Sequence, residues 1–274
     1  MVRTPGLTAV LAVLAFATPA AAHAAAAKTL TVMSLDSCAD QYVLALSPRE
    51  AIVGLSARAD DPDSYMRAFA GGLHVRRATT EAVLAARPDI VVRYWGGDAR
   101  LEATLQRRGV TVVRIDEASD FDGVRADVRK VAAALGARAR GEVLVAGMDA
   151  KLGRARGVWK GAPALYFTPS GFTTGPGSLV DAMLRAAGMT NLATGSTWKP
   201  IPLERLVMHP PKAFVLGFFD VFAVAMQRWG PGRHAALKAR LPGRTVASLP
   251  SAILGCPAWF AADGPEALAR ARRP

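Results

Sequence analysis

The sequence predicts an α/β fold of two parallel-sheet lobes joined by a long helix. Three observations lead there. Between residues 28 and 118, short apolar runs alternate with helical patterns, the signature of parallel strands covered by helices on both faces. Residues 119–157 then lose the strand pattern and carry apolar residues at helical spacing. From 158 to 274 the alternation resumes, and 274 residues are enough to bury two such cores.

The first stretch, MVRTPGLTAVLAVLAFATPAAAHA, has Arg3, an apolar run from Leu7 to Phe16, and small residues ending in Ala-x-Ala. Residues 1–24 read as a secretory signal peptide cut after Ala22 or Ala24. The run falls short of the roughly 20 apolar residues a membrane anchor needs. The expectation is an exported, soluble protein.

The first lobe follows in order. KTLTVMSL reads as a strand, CADQYVLAL as a helix, AIVGLS as a strand and TEAVLAAR as a helix. DIVVRYW is a strand, RLEATLQRRG a helix and VTVVRID a strand. Next come Val124, Val128, Val131, Leu135, Val143, Val145 and Met148 at helical spacing, with Ser119 or Asp120 as a cap. A single helix over 119–155 would reach about 55 Å at 1.5 Å per residue, and Gly136 and Gly141 are the points where it would bend or break. In the second lobe PALYFTPS, KAFVLGFF and RTVASLP read as strands. GSLVDAMLRAAG, LERLVM, HAALKARL and GPEALARARR read as helices.

The lobes echo each other. Glu81 and Glu204, Pro88 and Pro211, and Trp95 and Phe218 all stand 123 residues apart, which argues for duplicated architecture. Each glutamate opens a short helix, where an acid gains about 0.3–1 kcal/mol from the helix dipole. That accounts for either acid alone and leaves their symmetry unexplained.

The formal charge is +12. Arg87, Arg100, Arg107, Arg108, Arg125, Arg129, Arg138 and Arg140 are spread over several predicted helices, without interleaved aromatics. They read as solvated faces rather than a nucleic-acid surface. Cys38 and Cys256 are the only cysteines; an oxidising compartment permits a disulfide, and their spacing neither requires one nor makes a zinc signature.

Aromatics gather where open α/β sheets bind ligands, at the carboxyl ends of strands: Tyr94, Trp95, Phe172, Phe218, Phe219, Trp259 and Phe260, with Trp198 ahead of the second glutamate helix. Such a set suits a broad, flat ligand. Phe219 and Phe260 are expected in the core or at a lobe–lobe contact. Gly177 is followed by Ser178 and Leu179, so TTGPGSLVDAML lacks a Walker lysine. No Gly-x-Ser-x-Gly occurs, and His74, His209 and His234 lie far apart. Nothing points to catalysis or to a metal held by bare side chains.

The ordered motifs AIVGLSARADDP, TEAVLAARPDIVVRYWGGD, GFTTGPGSLVDAMLRAAGMTNLA, WKPIPLERL and AWFAADGP resemble the solute-binding proteins of ABC importers. The resemblance is to the class with a rigid inter-lobe helix (class III), whose members carry vitamin B12 and iron–siderophore chelates. Within it the pattern is most similar to the vitamin B12 receptors: Tyr94 ahead of Gly-Gly, Phe172 in FTTG, Trp198 before the second docking glutamate, and the pair Trp259 and Phe260. The resemblance implies a monomer that holds a cobalt corrinoid between its lobes, without a cofactor of its own. Arg58, Tyr94, Trp95, Phe172, Trp198, Phe218 and Trp259 would form the ligand site. Glu81 and Glu204 would engage a membrane permease while a separate ATPase drives import. The sequence departs from the B12 pattern at Arg58, Val75, Ala258 and Cys38. Arg58 and Arg93 keep an anionic ferric chelate as the alternative ligand, with haem after it.

Overall fold

The computed structural model describes residues 1, 30–94, 96–220 and 230–272. The signal-peptide reading and Trp95 fall outside them. The first lobe runs β1 (Val32–Ser34), α1 (Ser37–Leu46), β2 (Ile52–Gly54), α2 (Arg67–Ala70), α3 (Thr80–Ala86), β3 (Ile90–Tyr94), α4 (Ala99–Arg107) and β4 (Thr111–Ile115). α5 (Phe121–Ala134) and α6 (Arg138–Ala155) follow. The second lobe runs β5 (Pro163–Phe167), β6 (Phe172–Thr173), α7 (Leu179–Ala186), β7 (Thr190–Asn191), β8 (Lys199–Pro200), α8 (Leu203–Met208), β9 (Phe214–Gly217), α9 (Ala235–Lys238), β10 (Thr245–Leu249), α10 (Ser251–Leu254) and α11 (Asp263–Ala271).

Each lobe holds a four-stranded parallel sheet, in the orders β2-β1-β3-β4 and β10-β9-β5-β7. Numbered within its own lobe, the second sheet also reads second-first-third-fourth, so the two lobes share one topology. β3 and β9 occupy equivalent central places, preceded by α3 and α8, the helices that carry Glu81 and Glu204. Central strands are buried on both faces, whereas the edge strand β4 alternates exposed and buried residues. The antiparallel pair β6–β8 was not expected; two residues per strand are too few to show a period.

The linker differs from the single long helix of the sequence reading. α5 is capped by Leu135 and stopped by Gly136, whose φ of 69° places it in the left-handed region. The N–H of Ala137 donates to Ala132 O at 2.7 Å and that of Gly136 to Ala133 O at 3.2 Å, a Schellman stop. α6 then turns back along α5, and Arg125–Asp149 and Arg129–Glu142 ion pairs bridge them at 2.6 and 2.8 Å. A Cβ at Gly141 would lie 2.5 Å from that of Ala132, so glycine permits the close crossing. α6 has 18 residues, about 27 Å of helix, and it packs against α5 on one side and α11 on the other.

One hydrophobic core runs through both lobes, from Val32 and Tyr42 to Tyr166, Trp259, Phe260 and Leu268. Tyr42 meets Trp259 edge-on at 5.5 Å, and Tyr65 stacks on Phe260 at 4.2 Å. Tyr65 also donates to Asp263 Oδ2 at 2.8 Å, while Lys151 of α6 pairs with the other oxygen of Asp263. Apolar area buried across this boundary resists hinge opening at roughly 25 cal/mol per Å². Among the described residues, no helix is long and apolar enough to cross a membrane.

Candidate functional site

Asp36 organises the floor of the cleft. As N-cap of α1, its Oδ1 accepts the N–H groups of Cys38 and Ala39 at 3.1 and 2.9 Å. Its Oδ2 accepts the N–H of Tyr94 at 2.7 Å, tying the exit of β3 to the start of α1. Tyr94 then donates its hydroxyl to Glu117 Oε2 at 2.7 Å. Behind Asp36, the buried Asp40 accepts from Ser34 and Ser56; burial raises its pKa against the lowering effect of those bonds.

Arg93 is not in the cleft. Adjacent strand residues face opposite ways, and Arg93 is buried beneath the Gly96–Gly97 turn, its Nη1 3.4 Å from Glu102 Oε2. A Cβ on Gly97 would meet its guanidinium at 1.9 Å, which explains the glycine at φ 77°.

Two cavities of about 390 Å³ each open between the lobes. The first is lined by Tyr94, Glu117 and Ser119 on one side and by Thr174, Ser178 and Trp198 on the other. Trp198 is half exposed and meets the buried Tyr166 edge-on at 6.0 Å. The second is lined by Gln41, Arg58, Asp63 and Tyr65 facing Phe218 and Phe260. Gly255 and Cys256 line both, and Cys256 is disulfide-bonded to Cys38 of α1. A separate cavity of about 250 Å³ beside β8 and α8 lies within the second lobe and shares no lining residue with these two.

The expected ligand residues divide accordingly. Tyr94 and Trp198 come together in the first cavity, Arg58 and Phe218 in the second. Phe218 has φ 63°, a left-handed conformation that costs a bulky residue on the order of 1–3 kcal/mol and that clusters at functional sites. Trp259 lines neither cavity; it is buried against Tyr42, and its neighbour Phe260, in the core and stacked on Tyr65 of the other lobe as expected, also borders the second cavity. Phe172 stands on β6, partly exposed and outside both linings. Arg58 is held by Asp61 and Asp63 at 2.8 and 2.9 Å, so its charge is already matched. Glu117, Tyr65 and Gln41 were missed. Glu117 stands just past the end of β4, after Asp116, where the strand-exit rule would have found it. Tyr65 lies in a loop with no motif; burial and Asp263 push its pKa up to about 12, so it stays a hydrogen-bond donor.

Glu81 and Glu204 are exposed, each in the first turn of its helix, and neither forms an ion pair among the described residues. Among the described residues, no three His, Cys, Asp or Glu side chains converge as a metal site.

The sequence profile of the periplasmic binding protein family matches residues 32–216. The chain belongs to that family. A cobalamin-binding protein of Halobacterium salinarum is 26% identical over 196 residues, 68% of this chain and 53% of that protein. The chain thus spans about half the length of the curated relatives it matches. Among solved structures, the periplasmic heme-binding protein BhuT in complex with two hemes is 25% identical, with a TM-score of 0.67 over 88% of this chain and 98% of that one. The periplasmic vitamin B12 binding protein BtuF of Vibrio cholerae shares the fold at 16% identity, with a TM-score of 0.64 over 88% and 95%. So does the periplasmic heme-binding protein RhuT from Roseiflexus sp. RS-1, at 22% identity and 0.65 over 89% and 97%. The two parallel-sheet lobes and their helical linker are the class III architecture of this family.

Proposed function

We propose that this periplasmic binding protein captures a corrinoid, cobalamin first, between its lobes and delivers it to an ABC permease whose separate ATPase drives import. Glu81 and Glu204, one on each lobe, are the docking acids of this reading, and the periplasm is its compartment. The chain acts as a carrier, with the corrinoid as cargo.

One observation carries the choice of ligand. The chain has a net charge of +12, yet the charged side chains lining the two cavities, among the described residues, are Glu117, Asp63 and Arg58. Arg58 is already paired with Asp61 and Asp63. A cleft with a surplus carboxylate repels the propionates of haem and the trianionic core of a ferric tris-catecholate. It accepts a neutral ligand rimmed with carboxamides. Glu117 can take an amide N–H, and the first N–H groups of α7, which line the same cavity, can donate to an amide carbonyl. Tyr94, Trp198, Tyr65 and Phe218 supply contact for a flat macrocycle. A neutral ferric hydroxamate meets the same charge requirement and is the second reading.

The test is tryptophan fluorescence of the purified chain titrated with cyanocobalamin, corrected for ligand absorbance, beside a ferric hydroxamate, a ferric catecholate and haemin. Saturable quenching by cyanocobalamin, with weak or no response to the two anionic ligands, is expected. Saturation by haemin or the catecholate alone would overturn the charge argument, and saturation by the hydroxamate alone would transfer the site to the second reading.

A further inference from the structure

Cys38 is the second residue of α1 in the first lobe, and Cys256 follows α10 in the second. Their disulfide joins residues 218 apart in sequence and stands between the two halves of the ligand cleft. Its two ends differ in access. Cys38 is buried, 6% exposed, with its sulfur 3.6 Å from Gly255 O, whereas Cys256 is partly exposed and lines both cavities. A thiol entering the cleft therefore meets Cys256.

We infer that Cys256 is a thiol-exchange site inside the ligand cleft, and that ligand binding and cleavage of the Cys38–Cys256 bond are coupled. The coupling half rests on the carrier reading above; the exchange half does not. The attacking dithiol's thiolate bonds to the Cys256 sulfur, and the Cys38 sulfur leaves with the bonding pair and takes up a proton. The second thiol of the dithiol then displaces Cys256, which is released as a thiol. The dithiol is oxidised to its cyclic disulfide, and the protein gains two thiols.

The route from sulfur to site is short. Cys38 sits in the first turn of α1, whose N–H groups are held by Asp36, and the same carboxylate holds Tyr94. On the other lobe, α10 has four residues, fixed at its start by Ser251 donating to Asp220 and just beyond Cys256 by the Pro257 carbonyl accepting from Tyr42. Cleavage leaves the lobes attached through Tyr42, Tyr65 and their partners, and loosens the segment between these two anchors. Ligand lying across both cavities covers Cys256. By linkage, a ligand that binds the oxidised form about tenfold better raises the bond's resistance to reduction by the same factor, about 30 mV for a two-electron couple.

Two measurements on the full chain test this. Brief exposure to glutathione, followed by alkylation and peptide mass spectrometry, is expected to place the mixed disulfide on Cys256; capture on Cys38 would overturn the exchange site. Next, dithiothreitol cleavage is timed with and without saturating cyanocobalamin, and affinity is compared between the wild type and C38S/C256S. At least about a fivefold slowing, with weaker binding by a double variant that keeps its circular dichroism, is expected for coupled sites. Equal rates and affinities within twofold would overturn the coupling. If cyanocobalamin fails to bind the oxidised wild type, the corrinoid reading and the coupling fall together, while the glutathione mapping still decides the exchange site.

Discussion

The hydroxyl of Tyr42 donates to the backbone carbonyl of Pro257 at 2.6 Å, and the two residues belong to different lobes. Tyr42 is fully buried, so the bond lies within a core common to both sheets rather than across a solvent-filled gap. It also fixes the residue after Cys256. The same contact that resists hinge motion therefore sets the floor of the cleft.

Tyr42→Phe removes the donor and leaves a buried carbonyl unpaired. A loss of about 1–2 kcal/mol in unfolding free energy is expected, the scale of one unsatisfied buried group. Urea unfolding followed by tryptophan fluorescence and far-ultraviolet circular dichroism should give coincident transitions, because the lobes share one core. Two separated transitions would contradict that shared core.

Two core tyrosines, Tyr42 and Tyr166, and the partly buried Tyr65 link stability to alkaline pH. Burial raises the pKa of Tyr42 and Tyr166, and burial with Asp263 raises Tyr65 to about 12. In the unfolded chain each titrates near its usual value of about 10. Their folded pKa values are raised, so their contribution is fully present below about pH 10 and is lost as pH rises through the folded values. Stability should fall from about pH 10 toward 12, and Tyr65→Phe should flatten that decline. An unchanged slope in Tyr65→Phe, measured by urea midpoints across this range, would remove Tyr65 from the effect.

Much of the fold is legible because local rules and tertiary structure agree. The Ile-Val-Val run of β3 sits between Pro88 and Gly96, and Gly136 announces the end of α5 through its left-handed φ. The site is less legible. Tyr94 and Arg93 are neighbours, and only the two-residue period tells that one faces the cleft and the other the turn. Trp259 and Phe260 sit side by side on a short 3-10 turn. Which of them borders the cavity is decided by Tyr42 and Tyr65 packing from more than 190 positions away in sequence. No local pattern encodes a pairing of Cys38 with Cys256.

Gly141→Ala tests the linker with an unusual sign. Alanine favours an isolated helix over glycine by about 1 kcal/mol. Here its Cβ would lie 2.5 Å from that of Ala132, so overpacking between α5 and α6 should win, with a net loss of up to about 2 kcal/mol. Gly147, whose Cβ would meet nothing within 4 Å, is the control: Gly147→Ala should stabilise. Thermal melts of the pair would read the difference, and a stabilised Gly141→Ala would mean that the α5–α6 crossing has room for a methyl group.

Trp198→Ala probes the first cavity. Trp198 is half exposed, so its removal should change unfolding free energy little, whereas its ring against Tyr166 forms one wall of the cavity. Cyanocobalamin affinity is expected to weaken by about 1–3 kcal/mol, the scale of one buried aromatic. Titration calorimetry giving an unchanged constant would take Trp198 out of the site.

Charge reversal at Glu81 and Glu204 tests the proposed separation of docking from binding. Each is exposed in the first turn of its helix, on equivalent elements of two lobes with the same topology, and neither lines the cleft. Reversing both charges, Glu81→Arg with Glu204→Arg, puts cations where the proposed docking contact needs acids, and a like-charge juxtaposition across an interface costs several kcal/mol. Uptake in cells or loaded vesicles should fall by at least about tenfold, and affinity for cyanocobalamin should stay within about twofold, because the substituted side chains lie outside both cavities. The single variants should give intermediate losses, since each of them keeps the acid of the other lobe. A large loss of affinity in the purified double variant would place these acids in the ligand site and refute the docking assignment; full uptake would refute it from the other side.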